Sequence, residues 1–234
     1  MLSKDTIGAG AFGLVVSAQI GYLLYLGRKH GKASRKARFE KELLREDGRL
    51  RDGEIVGFGA TRVLRRDDDW ECRVASEVAN LAFVGEADFK RAGHLFRLDV
   101  EGRDLQRMSG MYSMSTILVF QVYETKEIAG VVRVDFDLDK RIGQFGMLST
   151  REQDQGRGIG SALVRACEEY LVRLLGPDCV IRMPVLEIRP HLLKFYEKRG
   201  YKQYGAKPFP EFLMKPEFYG TQLLLYEKRP SSTC

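Results

Sequence analysis

The sequence predicts an α/β or α+β domain, a mixed and mostly antiparallel sheet flanked by helices, with an apolar helix added at its N-terminus. Three observations predict it. Strand-like runs follow one another at 116–123, 128–136 and 142–150. Helical and strand patterns then alternate to the C-terminus, an order that makes a layered domain with a mixed sheet. A glycine cluster, Gly156-Arg157-Gly158-Ile159-Gly160, sits where the pattern changes from strand to helix. The chain has 234 residues, 44% hydrophobic and 30% charged. That is enough apolar material for a core and rules out wholesale disorder.

The elements follow in order. Thr61–Leu64 is a short β-rich run before the acidic turn Asp67–Asp69. Val74, Val78, Leu81 and Ala82 recur at helical spacing over Glu71–Phe83, and a weaker helical pattern covers Ala87–Phe96. Thr116–Tyr123 and Ile128–Phe136 are strand-like runs joined by a polar turn. Ile142–Thr150 is a third strand. A helix spans about Arg157 to Leu175, its apolar face running from Ile159 to Leu174, and Gly176-Pro177 ends it. Val180–Ile188 is a strand. His191–Arg199 is a helix with Pro190 at its start and Gly200 just past its end. Gln222–Glu227 is the last strand.

The charge is not evenly spread. Of a net charge of +6, residues 28–52 carry +5, with ten Lys or Arg against five acids. A nucleic-acid-binding fold carries its basic stripe on the folded domain. Here it follows an apolar segment, so no nucleic-acid partner is expected. Thr6–Gly27 contains no charged residue, and as a helix such a stretch is long enough to cross a bilayer. Tyr22 and Tyr25 fall where an interfacial belt would lie, and the basic run follows at once. Residues 1–27 therefore read as a membrane anchor. A helix packed on the domain or on partner proteins, and a cleaved targeting segment, are the other readings of the same residues. With an anchor, the positive flank places the following domain on the cytosolic or the mitochondrial matrix side. Residues 28–57 read as a basic, exposed connecting helix and linker, residues 58–229 as the main domain and 230–234 as a tail. The four cysteines are far apart with no C-x-x-C pair, and the three histidines are scattered, so neither a metal site nor a disulfide scaffold is expected. A reducing compartment fits this usage.

The glycine cluster carries the chemistry. Glycines at a strand-to-helix turn let backbone N–H groups face one point, and the helix start adds its positive dipole end. That is a phosphate cradle. No Lys follows the last glycine, as a nucleotide-binding P-loop would require, and the glycines run G-x-G-x-G, not the G-x-G-x-x-G of a dinucleotide fold.

Gln155-x-x-Gly158-x-Gly160 resembles the acyl-CoA pyrophosphate loop of the GNAT superfamily of N-acetyltransferases. Gly146-Met147-Leu148-Ser149 is similar to the strand before that loop, and Phe195–Tyr201 (FYEKRGY) to a later signature of the family. The resemblance covers about residues 58–229. It implies an acetyltransferase fold with acetyl-CoA as acyl donor, an unknown amine as acceptor, and no metal. It implies that Leu148, Ser149 and Thr150 line the pantetheine arm. It further implies that Gln155, Gly156, Arg157, Gly158, Ile159, Gly160 and Ser161 hold the pyrophosphate, with Arg157 adding charge. Tyr196 is the implied acid for the leaving sulfur. Glu187 is the first candidate for the base that deprotonates the amine, and Asp135 or a water is the alternative. Where the family often has Asn, seven residues before the motif tyrosine, this chain has Arg189. Two functions are compatible with these residues: an acetyltransferase tethered to a membrane, or a coenzyme-binding or inactive domain kept as a structural subunit of a membrane assembly, such as a mitochondrial one.

Overall fold

A computed structural model describes residues 31–43, 48–84, 88–90, 98–110 and 114–230. The apolar stretch 6–27, the tail from 231 and most of the weak helical pattern over 87–96 lie outside these. Among the described residues no helix is long and apolar enough to cross a membrane.

Among the described residues eight strands form one sheet: β1 (Arg49–Ile55), β2 (Gly59–Val63), β3 (Ser115–Val122), β4 (Ile128–Asp137), β5 (Ile142–Thr150), β6 (Val180–Leu186), β7 (Lys202–Pro208) and β8 (Gln222–Lys228). Their spatial order is β1-β2-β3-β4-β5-β6-β8-β7. Every neighbouring pair is antiparallel except β5 and β6. Among the described residues five α-helices accompany it: α1 (31–43), α2 (Asp69–Ala82), α3 (Arg103–Met108), α4 (Ile159–Leu175) and α5 (Pro190–Glu197).

Alternation along the strands divides the core between the two faces. Leu118, Phe120 and Val122 of β3 point to the side holding α4, and Ile117 and Val119 to the side holding α2 and α3. That is the period-2 pattern of a strand buried on both faces. On the first side α4 buries Leu163, Cys167, Tyr170 and Leu174. On the second, α2 is fixed to β2 by a buried ion pair. Arg62 donates two hydrogen bonds to Glu71, at 2.8 and 2.9 Å, and Arg65 adds its backbone and Nε donors, both at 2.7 Å. Burial alone would raise the Glu71 carboxyl, but these hydrogen bonds outweigh it and hold it below the usual carboxylate range. Cys72, Cys167 and Cys179 are buried free thiols.

Within 28–57, the described residues are not the exposed connector expected. Residues 31–43 are helical, but Ala33, Lys36 and Leu43 are buried, and Phe39 packs edge-on against Tyr170 of α4 at 5.0 Å. Arg35 donates to the Leu174 carbonyl at 2.8 Å, so one of the basic residues caps the C-terminal end of α4. Residues 49–55 form the edge strand of the sheet. Gly53 lets that strand press onto α4, since a Cβ there would lie 2.6 Å from Thr61 Cβ and 2.7 Å from Ala166 Cβ. Ala33, Phe39 and Leu43 thus form the inward face of a helix that belongs to the domain.

Candidate active site

β5 and β6 run parallel and paired only over Ile142–Gln144 with Val180–Arg182. Beyond that point β5 stays with β4 as far as Thr150, while β6 follows β8 as far as Leu186. The strands part, and a cleft opens between them. Just before the cleft β5 carries a bulge. The β4–β5 ladder skips Met147 and Leu148, and Met147 has φ +56°, rare for a residue with a side chain.

The chain then turns through Gly156 (φ +76°) and Gly158 (φ +87°) into α4. Gly158 is the N-cap and no side chain caps the helix. The first intrahelical bond is from Ala162 N to Gly158 O at 3.0 Å. The N–H groups of Ile159, Gly160 and Ser161 therefore have no partner within the helix and point out of its end. A Cβ at Gly156 would meet nothing within 4 Å, and one at Gly158 only Ile55 Cδ1 at 3.8 Å. The glycines serve backbone conformation and open space, which is what an anion cradle requires.

The cleft has a volume of about 520 Å³. Leu148, Ser149 and Thr150 form one wall, and Gln155, Gly156, Gly158, Ile159, Gly160 and Ser161 form the cradle. Arg157 is the exception among the predicted coenzyme residues. Its guanidinium does not line the cleft: it lies 3.8 Å over the Phe58 ring and pairs at 3.2 Å with Asp154, which does. The positive charge comes instead from Arg199, just past α5. It lies 3.5 Å over the Phe195 ring and hydrogen-bonds the Ser161 hydroxyl. Burial, together with repulsion from Arg165, lowers the pKa of this guanidinium.

The predicted acid and bases are not on the cleft. α5 presents His191, Leu192 and Phe195 to it, whereas Tyr196 is one residue further around the helix. Its ring is 4% exposed and packs against Phe145, Phe195 and Tyr201. Burial pushes its hydroxyl pKa far up. Glu187 is exposed beyond the end of β6 and accepts from the Gln222 N–H at 2.7 Å, which joins β6 to β8. Asp135 is held by Arg133 through bonds of 2.9 and 2.7 Å. Two further ionisable side chains line the cleft beside Arg199: Asp154, which is held by Arg151 and Arg157, and His191. Nothing in its spacing distinguishes it. Only the divergence of β5 and β6 brings it opposite Leu148.

At the end of β6 a third small core joins Phe89, Leu186 and Met214. Lys90 and Met214 form an isolated β-bridge, and the Lys215 N–H donates to the Phe89 carbonyl at 2.9 Å. The Arg189 guanidinium stacks 5.1 Å over Phe89. The segment after α2 is thus stitched to the connection between β7 and β8. Among the described residues no group of metal-ligating side chains is assembled.

Residues 115–203, from the start of β3 into β7, match the family model described as an acetyltransferase (GNAT) domain. No curated protein matches the chain. Solved structures share the fold at low identity. An aminoglycoside 6'-N-acetyltransferase complexed with coenzyme A aligns with a TM-score of 0.54 at 15% identity, over 72% of this chain and 95% of that one. A spermidine/spermine N-acetyltransferase from Vibrio cholerae aligns at 0.53 and 16%, over 72% and 91%. A GNAT-family acetyltransferase from Streptococcus pneumoniae aligns at 0.52 and 20%, over 73% and 98%. Residues 115–203 thus resemble an acetyltransferase (GNAT) domain, and the sheet has the fold that these solved structures share.

Proposed function

We propose that the protein is an N-acetyltransferase that takes its acetyl group from acetyl-CoA and gives it to an amine. The observation that carries this reading is the cradle at the start of α4, which opens directly into the gap between β5 and β6. When bound, acetyl-CoA supplies the activated thioester. The N–H groups of Ile159, Gly160 and Ser161 hold its pyrophosphate, with Arg199 adding positive charge. The bulged backbone at Met147–Leu148 and the wall to Thr150 hold the arm in the gap, which fixes the acyl carbon for attack. The amine must lose a proton, and His191 is the cleft side chain that takes it, directly or through one water. Structural neighbours named for aminoglycosides and for spermidine or spermine support a primary amine as acceptor. The test is release of free coenzyme A thiol on adding members of an amine panel. Binding of acetyl-CoA without release for any amine would contradict turnover.

The second reading, a coenzyme-binding domain that serves as a structural subunit, is favoured by one observation. Phe89, Leu186 and Met214 pack into a small core at the end of β6, and on this reading that core takes up space an acceptor would need.

Tethering is proposed on the sequence alone. Residues 6–27 anchor the protein in a membrane, with the domain facing the cytosol or the mitochondrial matrix. Retention in the membrane pellet after carbonate and high-salt washes is the expected result. Quantitative release by salt would overturn it, since exposed charges are screened beyond about 10 Å at 0.1 M salt.

A further inference from the structure

Arg189 stands at the junction of β6 and α5, on the side of the gap that His191 also borders. Its N–H donates to the Leu186 carbonyl at 3.0 Å. Its own carbonyl accepts the N–H groups of Leu192 and Leu193 at 3.0 and 3.3 Å. Leu192 lines the cleft, as does His191, two residues after Arg189. The end of β6 and the first turn of α5 therefore fix this backbone from both sides.

The side chain is fixed as well, but its charge is unpaired. The guanidinium stacks 5.1 Å over the Phe89 ring. Phe89 is itself held by the Lys215 N–H on its carbonyl at 2.9 Å and by the small core it shares with Leu186 and Met214. The acids of the neighbouring segments do not neutralise Arg189. Glu187 accepts the Gln222 N–H at 2.7 Å, and Asp88, Glu211 and Glu217 are exposed. Among the described residues no carboxylate pairs with Arg189. Stacking covers the flat face of a guanidinium and leaves its edge of N–H donors free. That edge matches a carboxylate, which it holds through two parallel hydrogen bonds.

The cleft offers little to a second ammonium group. The carboxylate in its lining, Asp154, is already held by Arg151 at 2.6 Å and Arg157 at 3.2 Å. Ala82, Leu148 and Leu192 give the cleft apolar lining.

We propose that Arg189 selects the acceptor by binding a carboxylate, so that the substrate is an amino acid with an apolar side chain and not a polyamine. This rests on the reading of the cleft as an acetyltransferase site. The carboxylate lies on the free edge of Arg189, the amine faces His191, and the side chain covers the apolar lining. Transfer forms the N–C bond of an N-acetyl amino acid and breaks the C–S bond of the thioester. The proton that leaves the amine for His191 is balanced by the one that ends on the coenzyme A sulfur. Arg189 touches the substrate away from both bonds and acts on specificity.

The experiment is calorimetric titration of the full chain, saturated with coenzyme A, with N-acetyl-leucine and with its neutral counterpart N-acetyl-leucinamide. Binding of a product needs no turnover, so failure here is distinct from failure of the acetyltransferase reading, which thiol release tests. The acid should bind about tenfold more tightly than the amide. N-Acetylspermidine should bind no more tightly than the amide. Arg189→Gln should bring the acid down to the level of the amide, and Arg189→Lys should restore part of the difference. Equal binding of acid and amide by wild type would overturn the proposal whether or not the variants fold. Absence of binding by the acid, or a difference that survives in folded Arg189→Gln, would overturn it too.

Discussion

Arg199 hydrogen-bonds the hydroxyl of Ser161, so the end of α5 is tied to the first turn of α4. With Phe195 stacked beneath it at 3.5 Å, this guanidinium stands at the cradle as a fixed positive charge. Arg199→Gln should therefore raise the dissociation constant for acetyl-CoA about tenfold, or about 1.4 kcal/mol. Arg157→Gln should change it less than twofold, because Arg157 is spent on Asp154 and Phe58. Calorimetry on the two variants separates these roles, and the reverse order would return Arg157 to the pyrophosphate.

The proton-transfer assignment divides two neighbouring residues of α5. Tyr196→Phe removes a hydroxyl from the core and should leave turnover within about threefold of wild type. His191→Ala removes the imidazole from the cleft and should lower turnover on the order of 10²-fold with coenzyme affinity little changed. Steady-state rates with a saturating amine decide between them. A collapse in Tyr196→Phe alone would show that the tyrosine hydroxyl reaches the leaving sulfur.

The Arg62–Glu71 pair predicts a pH-dependent contribution to stability. The Glu71 carboxyl has a depressed pKa in the folded state. Its stabilisation is therefore present above the ordinary carboxylate value near ~4 and is lost as pH falls through the lower folded value. Glu71→Gln leaves Arg62 without its charge partner in the interior and should cost about 3 kcal/mol at pH 7. Urea unfolding at pH 7 and at pH 3 should show the gap between variant and wild type narrowing at the lower pH. A gap of equal size at both would assign the loss to packing.

α1 belongs to the domain, which sets where the chain can be shortened. Removing residues 1–30 leaves Ala33, Lys36, Phe39 and Leu43 in place and should yield a folded protein that binds acetyl-CoA. Removing residues 1–48 strips these contacts from Tyr170 and should lower the melting temperature by several degrees. Equal melting temperatures for the two truncations would return α1 to the role of a linker.

Much of this arrangement is legible in the sequence, for identifiable reasons. β3, β4, β5 and α4 are buried along full faces, so their periodicity survives in the residue pattern. The cradle is legible because positive φ at Gly156 and Gly158 restricts which residues can stand there. β1 is not, because Leu50 and the half-buried Ile55 are its only large apolar side chains and charged residues and a glycine stand between them. β7 is exposed along almost its whole length and has no alternation to read. α3 is six residues long, too short to show a period. The catalytic side is the least legible. Which face of α5 meets the cleft depends on the angle at which β5 and β6 part, and neighbouring residues Phe195 and Tyr196 fall on opposite sides of that choice.

The central claim, that the turn into α4 holds the coenzyme pyrophosphate, is tested most directly by calorimetric titration of acetyl-CoA into wild type and Gly158→Glu. The substitution sets a side chain at φ +87° and a carboxylate at the open end of α4. Wild type should bind, and the variant should lose at least a hundredfold in affinity while its far-ultraviolet circular dichroism is retained. Equal affinity in the two proteins would contradict the assignment of the cradle.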